Sequence, residues 1–574
     1  MDLYGRAFEI LYVDNLDRIA RYIPILEQAE LLAIDTETTG LDPLKGAKLR
    51  LLQIAMPNTP VLIIDFFKLN NAEKVILGNV LEKSNAVKIF HNAKFDLKFL
   101  HVNGIKISNN IFDTMLAELV ILSGLAKTGY SLQDVSVKYL KIELDKTNQK
   151  SNWTGALSRQ QLKYAAMDVY ILSGIYVAQK EILESLCLYD TAMLENQVVI
   201  PTYKMELHGM YMKNSSVLSL LIDIEEEKAE LEAVLQGMLP GVKNLNSPSQ
   251  VLKALNALGL DVRSTASDIL KPHQADYDAV KKLLDYRTIN KRCSLFESLQ
   301  KEINPTTKRI HSNYKQNMTS SGRYSCTAPN LQGIPHQNKF RSCFQASKNN
   351  VFIIADYSQI ELRIVAEMAN DKTMIEAFNN NEDIHKKTAA LINGKSLEDV
   401  TKEERQSAKA MNFGLVYGMG YNGFQAYAKN GYGVDLSLDE VTGIVDKFFR
   451  TYQGLTDRLN ELNVRRTLEE RTMGNRRRAW KHLPPITERA NSGVQGTGAD
   501  ILKRALVLLN DNLLNDDVKL ICIVHDEIVL EVPKNQADAI SKKLKRLMEE
   551  AGAFYIKKVP IIADISIGAS WADK

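Results

Sequence analysis

With 574 residues, 45% of them hydrophobic and 25% charged, the chain has an ordinary globular balance and is too long for one compact core, so several subdomains are expected. A net charge of +3 leaves Lys and Arg barely ahead of Asp and Glu, which excludes recognition by overall charge: any nucleic-acid contact must come from local basic surface. Five cysteines (Cys187, Cys293, Cys326, Cys343, Cys522) with no CxxC pair argue against a thiolate zinc site or a disulfide framework and for a reducing compartment, while a start bearing Asp2, Arg6 and Glu9 and the lack of a long apolar run predict neither signal peptide nor membrane segment.

The early chain alternates strand-like runs (Leu31–Ile34, Leu51–Ile54, Val61–Ile64) with helix-like segments, an α/β pattern that fades near residue 190. Asp35-Thr36-Glu37 follows the first run, so two acids project from one face. They repel unless a divalent cation bridges them, and hard carboxylate oxygens suit Mg²⁺ or Mn²⁺. Alone, Asp-x-Glu is better read as a solvated loop. Further acids change that balance: Asp96 stands in His91-Asn92-Ala93-Lys94-Phe95-Asp96, and Asp168 follows Tyr164 at helical i,i+4 spacing. In this order the segments resemble the three motifs of the DEDD exonuclease family, in its tyrosine-bearing subclass, over roughly residues 25–185. The resemblance implies an α/β, RNase H-like 3′→5′ exonuclease domain, expected at residues 1–190. In it Asp35, Glu37, Asp96 and Asp168 would hold two metal ions and Tyr164 would orient the attacking water. For Asn92 a positioning role and a plain structural hydrogen bond stand equal. The single-stranded DNA 3′ end would be held by stacking and backbone contacts.

Val217, Leu221, Ile224, Leu231 and Leu235 predict a long amphipathic bundle helix, ended by Gly237 and Pro240. From about residue 310 the chain is mixed. The strand-like Val351–Ala355 ends at Asp356, and Tyr357-Ser358-Gln359-Ile360-Glu361-Leu362-Arg363 reads as a helix start. Mainly helical character is expected from about 360 to 470. Within it Arg405, Lys409, Phe413 and Tyr417 recur every four residues and form one stripe on a helix, basic at one end for a triphosphate and aromatic at the other for a base or sugar. An inward-facing amphipathic helix is the default for that spacing alone. Val524-His525-Asp526-Glu527, flanked by Ile521, Ile523, Ile528 and Leu530, predicts a hairpin with its acids at the turn.

These last three segments resemble motifs A, B and C of family A DNA polymerases, the bacterial DNA polymerase I type. Further matches are Thr319–Arg323, Pro329–Gln332, Asp383–His385 and Gln495–Asp500, so that the resemblance covers nearly the whole chain. It implies an α+β right-hand polymerase at residues 191–574, with thumb at about 200–311, palm at about 312–370 and 485–574, and fingers at about 371–484. Asp356, Asp526 and the backbone carbonyl of Tyr357 would bind two ions, Mg²⁺ or Mn²⁺, at this second active site, with Glu527 a supporting acid. Arg405, Lys409 and His385 would grip the triphosphate beside Gln359, and Lys409 is a candidate proton donor to pyrophosphate. Glu361 resembles the steric gate against ribonucleotides. Phe413 at the sugar implies poor acceptance of dideoxynucleotides, and Tyr417 would cap the templating pair. Arg323, Asn330, Gln332, Asn491, Gln495 and His525 would contact primer and template. His385 and His525 are equally open to a structural reading. Asn246–Gln250 resembles the thumb tip, and Arg476–Arg478 is expected either to meet phosphates or to form a solvated face.

Three departures qualify the match. Thr487 stands where relatives often carry Arg, eight residues before Gln495, which leaves the role of Arg489 open. Gln406 replaces a second Arg beside Arg405, implying weaker triphosphate affinity. No residues ahead of the exonuclease region form a 5′-nuclease domain, so removal of RNA primers or flaps is not expected of this chain. Three rival readings are a stand-alone nuclease, a non-catalytic DNA-binding subunit and a single-subunit RNA polymerase. They are disfavoured by intact Asp356, Lys409 and Asp526, by unpaired acids that would repel phosphate without metal, and by Glu361 with the proofreading region, respectively. The expected partners are primer-template DNA and dNTPs, with a processivity or helicase partner left open and no membrane. The expected location is bacterial or phage-infected cytoplasm or nucleoid, or an organelle matrix after removal of a targeting segment.

Overall fold

The computed structural model describes residues 8–125, 128–148 and 151–574; Asp2 and Arg6 lie outside the described residues. The early apolar runs form a six-stranded sheet of β1 (Ile10–Val13), β2 (Leu31–Thr38), β3 (Leu49–Ala55), β4 (Val61–Asp65), β5 (Val87–Phe90) and β6 (Ile111–Asp113), in the order β1-β4-β3-β2-β5-β6. Strands β2 to β4 make an antiparallel meander, and β5 and β6 run parallel to β2. The strand period of two sends alternate residues into two cores. Leu32, Ile34, Leu52 and Ile54 pack with Leu97 and Leu100 of the helix Ala93–Val102. Ala33, Leu51 and Ile63 pack instead with Ala165 and Val169 of the helix Arg159–Tyr170. Ser158 and Gln161 start the latter helix with a reciprocal capping box.

The expected amphipathic helix spans Asn214–Met238, burying Val217, Leu220, Leu221, Ile224 and Leu235 and pairing with the helix Asp278–Lys301. A second sheet is antiparallel throughout: β7 (Asn350–Tyr357), β8 (Lys519–Val524), β9 (Glu527–Pro533) and β10 (Ala563–Gly568), in the order β8-β9-β7-β10. Between β7 and β8 the chain is mainly helical from Ile360 to Arg465, as its periodicity predicts, and the long helix Ile486–Asn512 then leads back to the sheet. The basic-aromatic stripe needs correction. Its helix, Lys402–Leu415, starts at a Thr401–Glu404 capping box and stops two residues short of Tyr417. Gly418 adopts φ 79° and donates its N–H to the Leu415 carbonyl, a turn a side chain would strain.

Arg476–Arg478 also departs from expectation. Arg476 is buried, with Nη2 2.6 Å from Glu195 and Nε 2.7 Å from Asp500, and Lys503 joins the same Glu195 carboxylate. Arg477 pairs with Glu469, and Arg478 donates to the Gly124 carbonyl. Charges removed from water must be paired, and removing one partner of such a cluster costs about 3–5 kcal/mol. This cluster therefore ties the Tyr189–Gln197 helix, which carries Glu195, to the helix Ile486–Asn512. All five cysteines are free thiols, and among the described residues no helix is long and apolar enough to cross a membrane.

Candidate active sites

The two-residue period of β2 builds the first site. Asp35 and Glu37 leave the strand on the face covered by the Arg159–Tyr170 helix, and one ligand atom each from Asp35, Glu37 and Asp168 lies within 4.8 Å of the others. Thr36, between them, points to the opposite face, where its hydroxyl donates to Asp96 Oδ1 at 2.6 Å. Asp96 therefore lies outside this group of three, with which the sequence placed it, although its charge still acts on Glu37. Burial and mutual repulsion push Asp35 up to about 8, and burial takes Asp168 to about 7, opposed by a hydrogen bond from Tyr164. Two carboxylates about 4 Å apart repel by about 4 kcal/mol at an effective dielectric of about 20. Asp168 Oδ1 is buried without a hydrogen-bond partner. Repelling acids around an orphaned carboxylate oxygen fit a divalent cation bound by oxygen ligands. Tyr164 keeps its position beside the acids, with the ring of buried Trp153 6.5 Å away.

The second site lies at the ends of β7 and β9. Antiparallel pairing sets Asp356 opposite Glu527, and the β8–β9 turn presents His525 and Asp526 next to them. Burial, then the charge of Asp356, pushes Asp526 up to about 7, again a site suited to added positive charge. Tyr357 ends β7 with its ring in the core and its hydroxyl donating to the Met548 carbonyl. Glu527 is buried and already engaged by Trp571 Nε1 at 2.7 Å and Arg341 Nη1 at 3.2 Å.

Around these acids, Glu361 accepts from Tyr417 Oη at 2.6 Å and from Arg323, so its carboxylate is held at both oxygens. Gln359 takes a left-handed conformation (φ 52°) just before the helix Ile360–Ala369. His385 is buried, its Nδ1 accepting from Asn412 Nδ2 at 2.9 Å, which leaves Nε2 to carry the proton. Burial pulls its pKa down to about 4, so the imidazole is neutral at pH 7. Its ring lies 5.7 Å from that of Phe413. Lys409 is half-buried and its charge acts on His385, whereas Arg405 Nε is paired with Asp383 at 2.8 Å. Gln332 donates to the Ile523 carbonyl at the hairpin, and Asn330 and His525 are exposed. Asn491 and Gln495 lie one turn apart on the helix Ile486–Asn512, and Asn491 Oδ1 is buried without a partner. Arg489 is buried and donates to the Leu462 carbonyl, a structural task.

Several positioning groups escaped the sequence. Asp113 accepts from the backbone N–H groups of Asn92, Ala93 and Met115, and so fixes the left-handed Asn92 (φ 69°) that opens the helix bearing Asp96. Glu206 clamps the same helix from outside. Its carboxylate takes Lys94 at 2.7 Å, Lys98, and the Tyr314 N–H at 2.6 Å, while Lys94 also reaches Asn313 and the Tyr314 carbonyl. The strand Asn313–Lys315 thereby holds the helix that carries Asp96. We expect Glu206→Gln to lower the excision rate on single-stranded DNA by about tenfold through loss of this placement. Extension of a paired primer should stay within about twofold. Release of labelled nucleotide in parallel with primer extension checks this. The only sequence signal was the Lys94/Lys98 spacing astride Asp96.

The geometry has counterparts among known proteins. A family model for DNA polymerase family A matches residues 215–573, and one for 3′-5′ exonuclease matches residues 10–184. DNA polymerase I of Aquifex aeolicus is 32% identical, over 98% of this chain and 99% of that protein. DNA polymerase I of Pseudomonas aeruginosa is 30% identical over 95% of this chain, which spans 64% of it. The chain likewise spans 64% of DNA polymerase I of Caldicellulosiruptor bescii, at 29% identity. A solved structure of the polymerase domain of Pol1 from M. smegmatis, in complex with DNA primer-template and dNTP, shares the fold with a TM-score of 0.84. It is 24% identical, covering 99% of this chain and 100% of that one.

Proposed function

This chain belongs to DNA polymerase family A and carries a 3′-5′ exonuclease domain ahead of its polymerase domain, and from that premise we propose that its two acid clusters are separate active sites serving one primer terminus. The carrying observation is that one chain presents Asp35, Glu37 and Asp168 as one cluster, on β2 and the helix that covers it, and Asp356 with Asp526 as another, at the end of β7 and the β8–β9 turn. Two divalent ions per site, Mg²⁺ or Mn²⁺, held by these carboxylates with Asp96 in the first and the Tyr357 carbonyl in the second, would supply Lewis-acid charge for the attacking and leaving oxygens. The first site acts within residues 1–190. The second is a palm of about 312–370 and 485–574 between a thumb at about 200–311 and fingers at about 371–484.

The chain's own groups divide the remaining work. In excision, Tyr164 donates to Asp168 and orients water toward the terminal phosphodiester. In synthesis, neutral His385 donates through Nε2 to the triphosphate, Lys409 supplies charge and a proton for pyrophosphate, and Arg405 exchanges Asp383 for phosphate oxygens. Phe413 lies along the sugar and Tyr417 caps the templating pair. Arg323, Asn330, Gln332, Asn491, Gln495 and His525 bear on primer and template. Clefts that share Leu119, Tyr130, Asn317 and Met318 lie between the two halves and suit a single strand in passage.

Glu361, held at both oxygens, is the gate that excludes a ribose 2′-hydroxyl. Glu361→Ala should reduce discrimination against ribonucleotides by about 100-fold, measured as the ratio of kcat/KM for dCTP and CTP; an unchanged ratio refutes the gate. The reading as a whole is tested with an end-labelled primer on a longer template in Mg²⁺. Lengthening with dNTPs and shortening without them support two sites, and absence of either removes one.

A further inference from the structure

The polymerase acids hold one more partner. Lys574 Nζ lies 2.6 Å from Asp356 Oδ2 and 2.7 Å from Glu527 Oε2. The lysine is delivered there by an ordered segment: Trp571 is fully buried, donates its backbone N–H to the Phe344 carbonyl, and meets the Phe344 ring edge-on at 5.5 Å. Trp571 Nε1 is bonded to the same Glu527, and the Arg341 guanidinium stacks 4.3 Å from the Trp571 ring. Arg341 already compensates Glu527, buried against buried. The ammonium of Lys574 is therefore the charge paired directly with Asp356, whereas the positive charge acting on Asp526 is that of Arg323.

We propose that Lys574 is a resident counter-ion of the polymerase site, occupying a coordination position of Asp356 in competition with the divalent ion. Loading metal then requires the ammonium to leave Asp356, and Glu527 keeps it tethered nearby when it does. The charges acting on Asp35 and Glu37 are by contrast those of other acids. The two sites consequently differ in how much divalent ion each needs, with synthesis demanding more than it would without this lysine. The inference rests on the reading of Asp356 and Asp526 as metal ligands.

The test counts Mn²⁺ bound to the DNA-free protein, from the electron paramagnetic resonance of the free ion, in a D35N/E37Q background that silences the exonuclease site. Adding D356N/D526N gives the blank. Lys574→Met should bind Mn²⁺ at the blank-corrected site about tenfold more tightly, a factor equal to about 1.4 kcal/mol of lost competition, whereas Lys574→Arg should stay near the parent. In protein with Asp35 and Glu37 intact, Lys574→Met should lower the Mg²⁺ concentration for half-maximal extension and leave that for excision in place. Melting curves check folding, and Lys574→Gln replaces Met if that variant is unstable. Affinity unchanged or weakened on removing the charge overturns the competition. If D356N/D526N removes no bound Mn²⁺, the metal-site reading itself fails, a distinct result.

Discussion

Replacing Asp526 with Asn is expected to slow primer extension by at least about 10³-fold, with excision of a single-stranded 3′ end kept within about twofold. Asp526 sits in the tight β8–β9 turn beside Asp356, and both burial and that neighbour already make its negative charge costly. A site that sustains this cost without a use for the charge would be stabilised by the neutral amide, so the variant should melt at or above the parent's temperature without metal. Loss of extension in a protein of undiminished stability separates a catalytic carboxylate from a structural one. Single-turnover extension of a labelled primer, with melting curves, reads both. Extension within about tenfold of the parent would remove Asp526 from the chemistry.

The mirror experiment, Asp35→Asn with Glu37→Gln, should abolish excision by at least about 10³-fold and leave extension intact. Here pH supplies a second readout. Asp35 has a folded pKa of about 8 against an ordinary carboxylate value of 3.8, so the folded protein binds a proton that the unfolded chain releases. Stability of the metal-free protein therefore falls as pH rises from about 4 to about 8, the reverse of a salt-bridged carboxylate. The double variant should flatten this slope. Mn²⁺ should raise the melting temperature of the parent more at the upper end of the window, where the acids no longer hold protons, than at the lower.

The acids were legible because their signals are local. An apolar strand ending in a carboxylate reads directly at Asp356, and alternation places Asp35 and Glu37 on one face without any knowledge of the partner helix. The hairpin around His525 was equally plain, and the helix over Asn214–Met238 announced itself by its spacing. What stayed hidden depends on contacts between distant segments. Nothing near Arg476 announces Glu195 or Asp500, so three consecutive arginines read as a phosphate-binding or solvated face although one is buried among acids. Tyr417 was placed on a helix by a four-residue rhythm that Gly418 interrupts, and its hydroxyl serves Glu361 instead of continuing the stripe. Lys574, Asp113 and Glu206 carry no motif at all. Their meaning comes from the acid-bearing segments they touch.

The two sites as stations for one primer terminus are tested most directly by a labelled primer whose 3′ nucleotide is mismatched, incubated with Mg²⁺ and all four dNTPs. The parent should yield full-length product in which the mismatched nucleotide has been replaced by the template's complement. The Asp35→Asn/Glu37→Gln protein should stall at the mismatch or extend it uncorrected, and Asp526→Asn should only shorten the primer. Corrected full-length product from the protein lacking Asp35 and Glu37 would contradict the account, because the excision would then come from somewhere other than the β2 acids.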